Sequence, residues 1–277
     1  MSGTPFLLGP ALLFCPADRP DRYAKALDRS DAVILDLEDA TAPERRATAR
    51  KALADNPLDP ERTIVRVNQS GTGDFLADLM CLRQTAYRHV MLPKADSNAD
   101  LDSLRGYSVI ALCETAAGIV SAGSLASAGH VSALMWGAED LVASMGGVAS
   151  RHEDGRYRDL VTYARSSVAL AAAAHGVSMI DAVHLDIADQ SGLAHEARDA
   201  AALGFAATAC IHPSQTQIVR AAYRPTEQEV ARARAVLDAA GTGGVGVIRL
   251  GDQMIDGPVL EHASSVLRRA GRPASDT

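Results

Sequence analysis

The chain is poor in aromatic rings: one Trp, four Phe and six Tyr make up 4% of its 277 residues. Its core must therefore be built mainly from Ala, Val, Leu and Ile. Cysteine is also scarce. Cys15, Cys81, Cys113 and Cys210 are dispersed, with no C-x-x-C pair, a pattern expected of reduced, mostly buried thiols in a cytosolic protein. Positive charge is in deficit, with 27 Lys and Arg against 34 Asp and Glu and a net charge of −7. That balance argues against a general nucleic-acid surface and leaves room only for a local basic pocket. No apolar run approaches the roughly 20 residues that span a bilayer, so no membrane segment is expected. The opening MSGTPFLLGPALLF lacks a basic stretch and is broken by Pro and Gly. No signal peptide is expected there, and a cytoplasmic location follows. There is no Walker A loop, no G-x-S-x-G elbow and no H-E-x-x-H helix, and the histidines are too scattered for a zinc cluster. Gly241–Gly246 matches G-x-G-x-x-G, but it follows a helical pattern and precedes a strand-like one. The dinucleotide fingerprint needs the reverse order, so a flexible loop is expected.

What the chain does have is alternation. At 47% hydrophobic and 22% charged it has an ordinary globular composition, enough for one large α/β domain or two small ones. Eight short apolar runs read as strands: Leu12–Cys15, Ala32–Leu37, Thr63–Val67, His89–Leu92, Val109–Cys113, Val131–Trp136, Met179–Asp186 and Phe205–Ile211. Helical patterns fall between them, among them Asp21–Asp28, Asp74–Gln84, Asp159–His175 and Gly192–Leu203, and Pro43 sits where another would begin. Continuous apolar strands at strand–helix spacing predict a (β/α)₈ TIM barrel over residues 1–222. Residues 223–277 form a C-terminal extension. Thr226, with Glu229 three residues on, opens a helix to Ala239. A hairpin-like VIRLGDQMID and a last helix, Pro258–Arg269, follow, and the final RPASDT is expected to be disordered. The extension is too short for an independent core. It is expected to pack on the barrel or on a neighbouring subunit.

Polar residues gather near the strand ends: Asp36, Glu38 and Asp39; Arg66 and Asn68; Lys94; Glu114; Glu139 and Asp140; Asp186; His212. A TIM barrel places its active site at that face, whereas an open doubly wound sheet would collect such groups at one switch point. Glu114 and Asp140 follow two buried strands one helix apart. Carboxylate oxygens suit a hard ion such as Mg²⁺, which commonly takes one or two from the protein. Arg66 interrupts an apolar run, which is costly unless it is paired. Carboxylates from neighbouring strands or an anionic substrate would satisfy it. In the DLED run, period-2 geometry puts Asp36 and Glu38 on one face and Asp39 on the other unless the strand has already ended, so the three acids are not expected to reach one site. Arg19 and Arg22 suit either a phosphate-bearing ligand or a solvated surface. His212 reads equally as a site residue or as a structural one.

The segments FCPADRPDR, VILDLEDA, VRVN, MLPKA, ALCETAAG, WGAEDL and CIHPSQ occur in this order. Together they resemble the citrate lyase β-subunit-like branch of the HpcH/HpaI aldolase superfamily, over roughly Leu12 to Arg269. The resemblance implies a Mg²⁺-dependent TIM barrel, with Mn²⁺ as the alternative metal. Such a barrel makes or breaks carbon–carbon bonds, often on acyl-CoA thioesters, as a homotrimer or hexamer. It implies Glu114 and Asp140 as metal ligands, with Glu114 also at the substrate, and Arg66 as the substrate-binding, polarising arginine. Arg19 would meet the CoA phosphates. The segment Gln253–Asp256 is similar to a C-terminal motif whose Asp reaches a neighbouring subunit, making Asp256 an acid/base residue in trans. Glu38 and Asp39 complete the catalytic candidates. The implied reaction cleaves a 3-hydroxyacyl-CoA of the citramalyl-CoA or malyl-CoA type to a 2-oxo acid and acetyl-CoA. The alternatives are a citryl-carrier-protein lyase subunit of a citrate lyase complex and a CoA-independent class II aldolase of 2-oxo acids. The chain departs from the family pattern at Ala17, where members often carry Gly, and at Ala116-Ala117, where many carry Arg. The second departure bears on recognition of the substrate anion.

Overall fold

Apolar runs of four to six residues form eight parallel strands. These are β1 Ala11–Pro16, β2 Ala32–Asp36, β3 Thr63–Arg66, β4 His89–Leu92, β5 Ser108–Cys113, β6 Val131–Trp136, β7 Ser178–Asp181 and β8 Ala207–Cys210. Each pairs with its sequence neighbour, and β8 pairs back to β1, closing the barrel. The computed structural model describes residues 8–243, 248–250 and 253–271. The helices are α1 Tyr23–Arg29, α2 Arg46–Asp55, α3 Gly73–Leu82, α4 Asn98–Leu101, α5 Ala116–Ala126, α6 Ala138–Ser144, α7 Asp159–His175, α8 Gln190–Leu203, α9 Pro213–Tyr223, α10 Glu227–Gly243 and α11 Gly257–Ala270. Among the described residues no helix is long and apolar enough to cross a membrane.

Successive side chains on a strand face opposite ways, so every second residue enters the barrel. Leu12, Ala32 and Ile34, Ile64, Met91, Ile110 and Leu112, Ala133 and Met135, Ile180, and Ala207 and Ala209 form one buried cluster, with Phe14 against it. Bulky Met91 and Met135 fill the space that the alanines leave. One further step of two along β2, β3 and β5 reaches Asp36, Arg66 and Glu114. The alternation that builds the core thus delivers three charged groups to its C-terminal end.

Four strands stop earlier than their apolar runs suggest: β3 and β8 by one residue, at Arg66 and Cys210, and β2 and β7 at aspartates. β2 ends at Asp36, because the Asp36 carboxylate accepts the N–H groups of Glu38 (3.0 Å) and Ala40 (2.9 Å). This local turn competes with the ladder. β7 ends at Asp181, not Asp186. Asp186 lies in an exposed turn, where its carboxylate accepts from the N–H groups of Ala188 and Asp189.

The chain divides into two compact units, Met1–Val219 and Arg220–Thr277, with the division inside α9. The second unit opens with a reciprocal cap: Thr226 N donates to Glu229 Oε2 (2.7 Å) and Glu229 N to Thr226 Oγ1 (3.2 Å). Its helix α10 continues to Gly243, past the expected end at Ala239. The first part of the Gly-rich run is therefore helical, and 244–246 lie outside the described residues, as do 272–277 and the first seven. β9 Ile248–Leu250 and β10 Gln253–Ile255 pair antiparallel, as the hairpin-like pattern anticipates. Ala233, Val236, Ile255, Ala263 and Val266 form this unit's own apolar cluster. A groove of about 530 Å³ between α10 and α11 is lined largely by apolar side chains.

Candidate active site

Arg66 is the inward residue at the end of β3, directly across from Asp36 in the ladder. Its Nε and Nη2 donate to Asp36 Oδ1 (2.7 Å) and Oδ2 (2.6 Å). A bidentate pair of this kind fixes a guanidinium in plane and position. The Phe14 ring lies 4.8 Å from Arg66 Cζ and packs against the cation. Burial works against the guanidinium charge, but the Asp36 and Glu38 carboxylates outweigh it and hold Arg66 protonated. Only Nη1 turns to the remaining acids, with Glu38 Oε2 at 3.0 Å and Asp39 Oδ2 at 3.8 Å. All three acids of the DLED run therefore approach one guanidinium. The expectation that they would separate fails because β2 ends at Asp36, and beyond that point period-2 alternation no longer applies.

Glu38 is buried. Its Oε1 accepts from Lys94 Nζ at 2.6 Å. Its Oε2, although near Arg66 Nη1, receives no hydrogen bond. Burial raises the proton affinity of this carboxyl, against the pull of Arg66 and Lys94. Lys94 is the one non-glycine with positive φ (50°) among the described residues. A left-handed backbone costs an L-residue about 1–2 kcal/mol, and such strain gathers at functional sites. Here it lets the Lys94 backbone N–H donate to Glu114 Oε1 at 3.1 Å. The Lys94 ammonium meanwhile stands 3.9 Å from Glu114 Oε1 and 3.5 Å from Asp140 Oδ1.

Glu114 follows β5 and is 3% exposed. Burial, and then the neighbouring Asp140 charge, push its carboxyl up to about 8. Asp140 sits in the first turn of α6, with a half-exposed side chain. Between the two elements lies Gly137. A Cβ there would come within 2.9 Å of both Glu114 Cβ and Oε2, so glycine is what lets the carboxylate rest against the β6–α6 junction. Two mutually repelling carboxylates, one of them buried, fit a small dication. No group of three or more His, Cys, Asp or Glu suited to a metal occurs among the described residues. A two-carboxylate site is nonetheless normal for Mg²⁺, whose other positions go to water or ligand oxygens.

The remaining candidates have local partners of their own. Arg19 pairs with Asp21 through Nε (3.0 Å) and Nη2 (2.9 Å) in the loop after β1, so a phosphate would have to displace that partner. Asp256 caps α11 in the second unit by accepting the Val259 N–H at 3.3 Å. His212 is exposed and its Nδ1 lies 2.8 Å from Ser214 Oγ. Sequence reasoning gave no role to several residues that build the site. Asp78, fully buried on α3, accepts from Asn68 N and Nδ2 (both 2.8 Å), and Asn68 Nδ2 also reaches Leu37 O (3.1 Å), just before Glu38. Gln215 joins the loops after β7 and β8: it donates to His184 O (2.8 Å) and accepts from Ile211 N (2.9 Å). Asp78 reads as one more polar residue on a helix, and only the fold reveals what lies behind it. The CIHPSQ segment did mark Gln215, without a reason.

Residues 11–213 match the family model described as HpcH/HpaI aldolase/citrate lyase. The chain is 54% identical to a citrate lyase subunit beta-like protein of Mycobacterium tuberculosis (strain ATCC 25618 / H37Rv), over 97% of this chain and 98% of the relative. It is 30% identical to an L-malyl-CoA/beta-methylmalyl-CoA lyase of Cereibacter sphaeroides (strain ATCC 17029 / ATH 2.4.9), over 93% of each. In fold it is similar to the crystal structure of CitE from Mycobacterium tuberculosis in complex with magnesium, acetoacetate and coenzyme A. The TM-score is 0.91 and the identity 55%, over 96% of this chain and 99% of that one.

Proposed function

Since the chain belongs to the HpcH/HpaI aldolase/citrate lyase family, we propose that it is a Mg²⁺-dependent carbon–carbon lyase. Its substrate is a 3-hydroxyacyl-CoA of the malyl-CoA or citramalyl-CoA type, and its products are a 2-oxo acid and acetyl-CoA. The observation that carries this reading is the convergence of Glu114, Asp140 and Glu38 on the single ammonium of Lys94, with Arg66 beside Glu38. A similar chain that binds magnesium, acetoacetate and CoA, and a relative that is a malyl-CoA lyase, supply the substrate class.

Glu114 and Asp140 would hold the metal, which when bound supplies a Lewis acid for the substrate's carboxylate and 3-hydroxyl oxygens. Arg66 keeps two donors on Asp36 and presents Nη1 to the oxygen on which negative charge develops. A donor fixed beforehand needs no reorganisation when the charge appears. Cleavage requires that the 3-hydroxyl lose its proton, that the C2–C3 electrons move to the thioester enolate, and that C2 regain a proton. Glu38 is the carboxylate in the barrel placed to take the first proton, its basicity raised by burial. Asp39, at the outer edge of Arg66, adds negative charge there. Asp256 of a second copy would return the proton to the departing carbon, which makes the active form a homo-oligomer, a trimer or hexamer. Arg19 would leave Asp21 for a CoA phosphate.

The test is a panel of malyl-, citramalyl- and hydroxymethylglutaryl-CoA with Mg²⁺, read as released 2-oxo acid or acetoacetate. At least one ester should be cleaved, and a chelator or Glu114→Ala should abolish cleavage. Inertness toward every CoA ester, with turnover of citryl-carrier protein or of a free 2-oxo acid aldol, would move the assignment to those substrates.

A further inference from the structure

We propose that Lys94 is a positioning residue of this site: it ties the Glu38 carboxylate to the Glu114 carboxylate, one by its ammonium and the other by its own backbone N–H. The inference rests on the reading of Glu114 as a metal ligand and of Glu38 as the proton acceptor.

Lys94 lies at the end of β4, between the strands that carry the two acids. Glu38 follows β2 and Glu114 follows β5. An ordinary extended residue leaving β4 would point its N–H and its side chain by the strand rule, and could not serve both neighbours. The left-handed φ of 50° breaks that rule. It aims the N–H at Glu114 Oε1 (3.1 Å) while the side chain crosses to Glu38 Oε1 (2.6 Å). The chain rejoins the barrel at the next residue, where Ala95 N donates to Leu112 O at 3.1 Å. Glycine would satisfy this backbone without strain, so the presence of a lysine points to a use for its ammonium. That use is local. Among the described residues Glu38 has no other hydrogen-bond donor to its side chain, since Oε2 receives none. Without Lys94 the carboxylate is held only by its ion pair with Arg66 and is free to rotate away from the substrate side.

Two substitutions separate the two arms. Lys94→Gly keeps the backbone and its N–H but removes the ammonium. Lys94→Ala removes the ammonium and also disfavours the left-handed turn. For Lys94→Gly we expect kcat to fall about 10²-fold with KM little changed, as misplacement of a reacting group does, and to recover in part when methylamine or ethylamine is added. Its Mg²⁺ affinity, read by calorimetry, should be equal to or tighter than that of the native chain, because a cation beside the ligands is gone. Lys94→Ala should bind Mg²⁺ about tenfold or more weaker than Lys94→Gly, in line with the loss of a hydrogen bond that orients a ligand. Native kcat in Lys94→Gly, or no response to amines, would overturn the ammonium arm. Equal Mg²⁺ affinity in the two variants would overturn the backbone arm. If the native chain cleaves no CoA ester, the proposed reaction fails, while the order of Mg²⁺ affinities still decides the backbone arm. The amine response is then read on whichever substrate is turned over.

Discussion

Asp36 is wholly buried and holds four donors: two from Arg66 and the N–H groups of Glu38 and Ala40. One side chain ends a strand, orients a guanidinium and shapes the turn that brings in the next acids. Asp36→Asn keeps the shape but removes the charge opposite a buried cation. Breaking one side of a buried pair costs about 3–5 kcal/mol, so the urea midpoint should fall accordingly, and a loss under 1 kcal/mol would contradict this role. Glu114 gives a second expectation at this scale. Its ordinary value is 4.5, and in the folded chain burial and Asp140 raise it to about 8. Between those values the folded state keeps a proton that the unfolded state has lost. This contribution is complete below about pH 4.5 and is lost as pH rises toward 8. In chelator, the native chain should lose melting temperature across that window relative to Glu114→Gln; parallel curves would refute the shift. Glu114 and Arg66 were legible in the sequence because a charge directly after a buried strand, or inside one, must be accounted for. The grouping of Asp36, Glu38 and Asp39 was not, since nothing in DLED announces that its first residue closes the strand. Nor could a lysine advertise a left-handed φ, a conformation associated with glycine.

Between residues and whole molecule stands the junction of β6 and α6. Gly137 separates Trp136, the last residue of β6, from the helix that carries Asp140, and Glu114 from β5 lies against it. Gly137→Ala inserts a methyl group 2.9 Å from the Glu114 carboxylate and forces it to move. We expect Mg²⁺ affinity to drop about 10–100-fold, the range seen when groups orienting metal ligands are lost, with the far-ultraviolet circular dichroism unchanged. Native affinity would mean that Glu114 does not need this resting place. Elements were read well where pattern and length agreed. β4, β6 and α7 begin and end as the apolar periodicity indicates. At β2 and β7 the runs that look extended contain aspartates, Asp36 and Asp186, whose carboxylates accept local backbone N–H groups and shape turns.

At the scale of the molecule, eight apolar runs with intervening helices sufficed to specify a closed parallel barrel. Its C-terminal end collects the charged residues because the inward register continues past the apolar layers. What the sequence did not disclose is how the second unit is used, since an unpaired amphipathic segment is equally suited to its own barrel or to another's. If Asp256 serves a neighbouring site, Asp256→Asn and Arg66→Met should each be inactive alone, and a mixture assembled together should regain cleavage of the CoA ester. A mixture as inert as its parents would count against sharing between subunits.

The four thiols record the integrity of this wall. Cys15, Cys113 and Cys210 lie sealed in β1, β5 and β8, and Cys81 on α3 is partly open. Burial pushes Cys15 to about 11 and Cys113 to about 12, so neither ionises readily in the closed state. Burial and Asp78 raise the Cys81 thiol as well, but it is the least buried of the four, so a maleimide should tag that sulfur first and the others only as fast as the staves part. The molecule thus comes with its own stopwatch for the opening of the barrel.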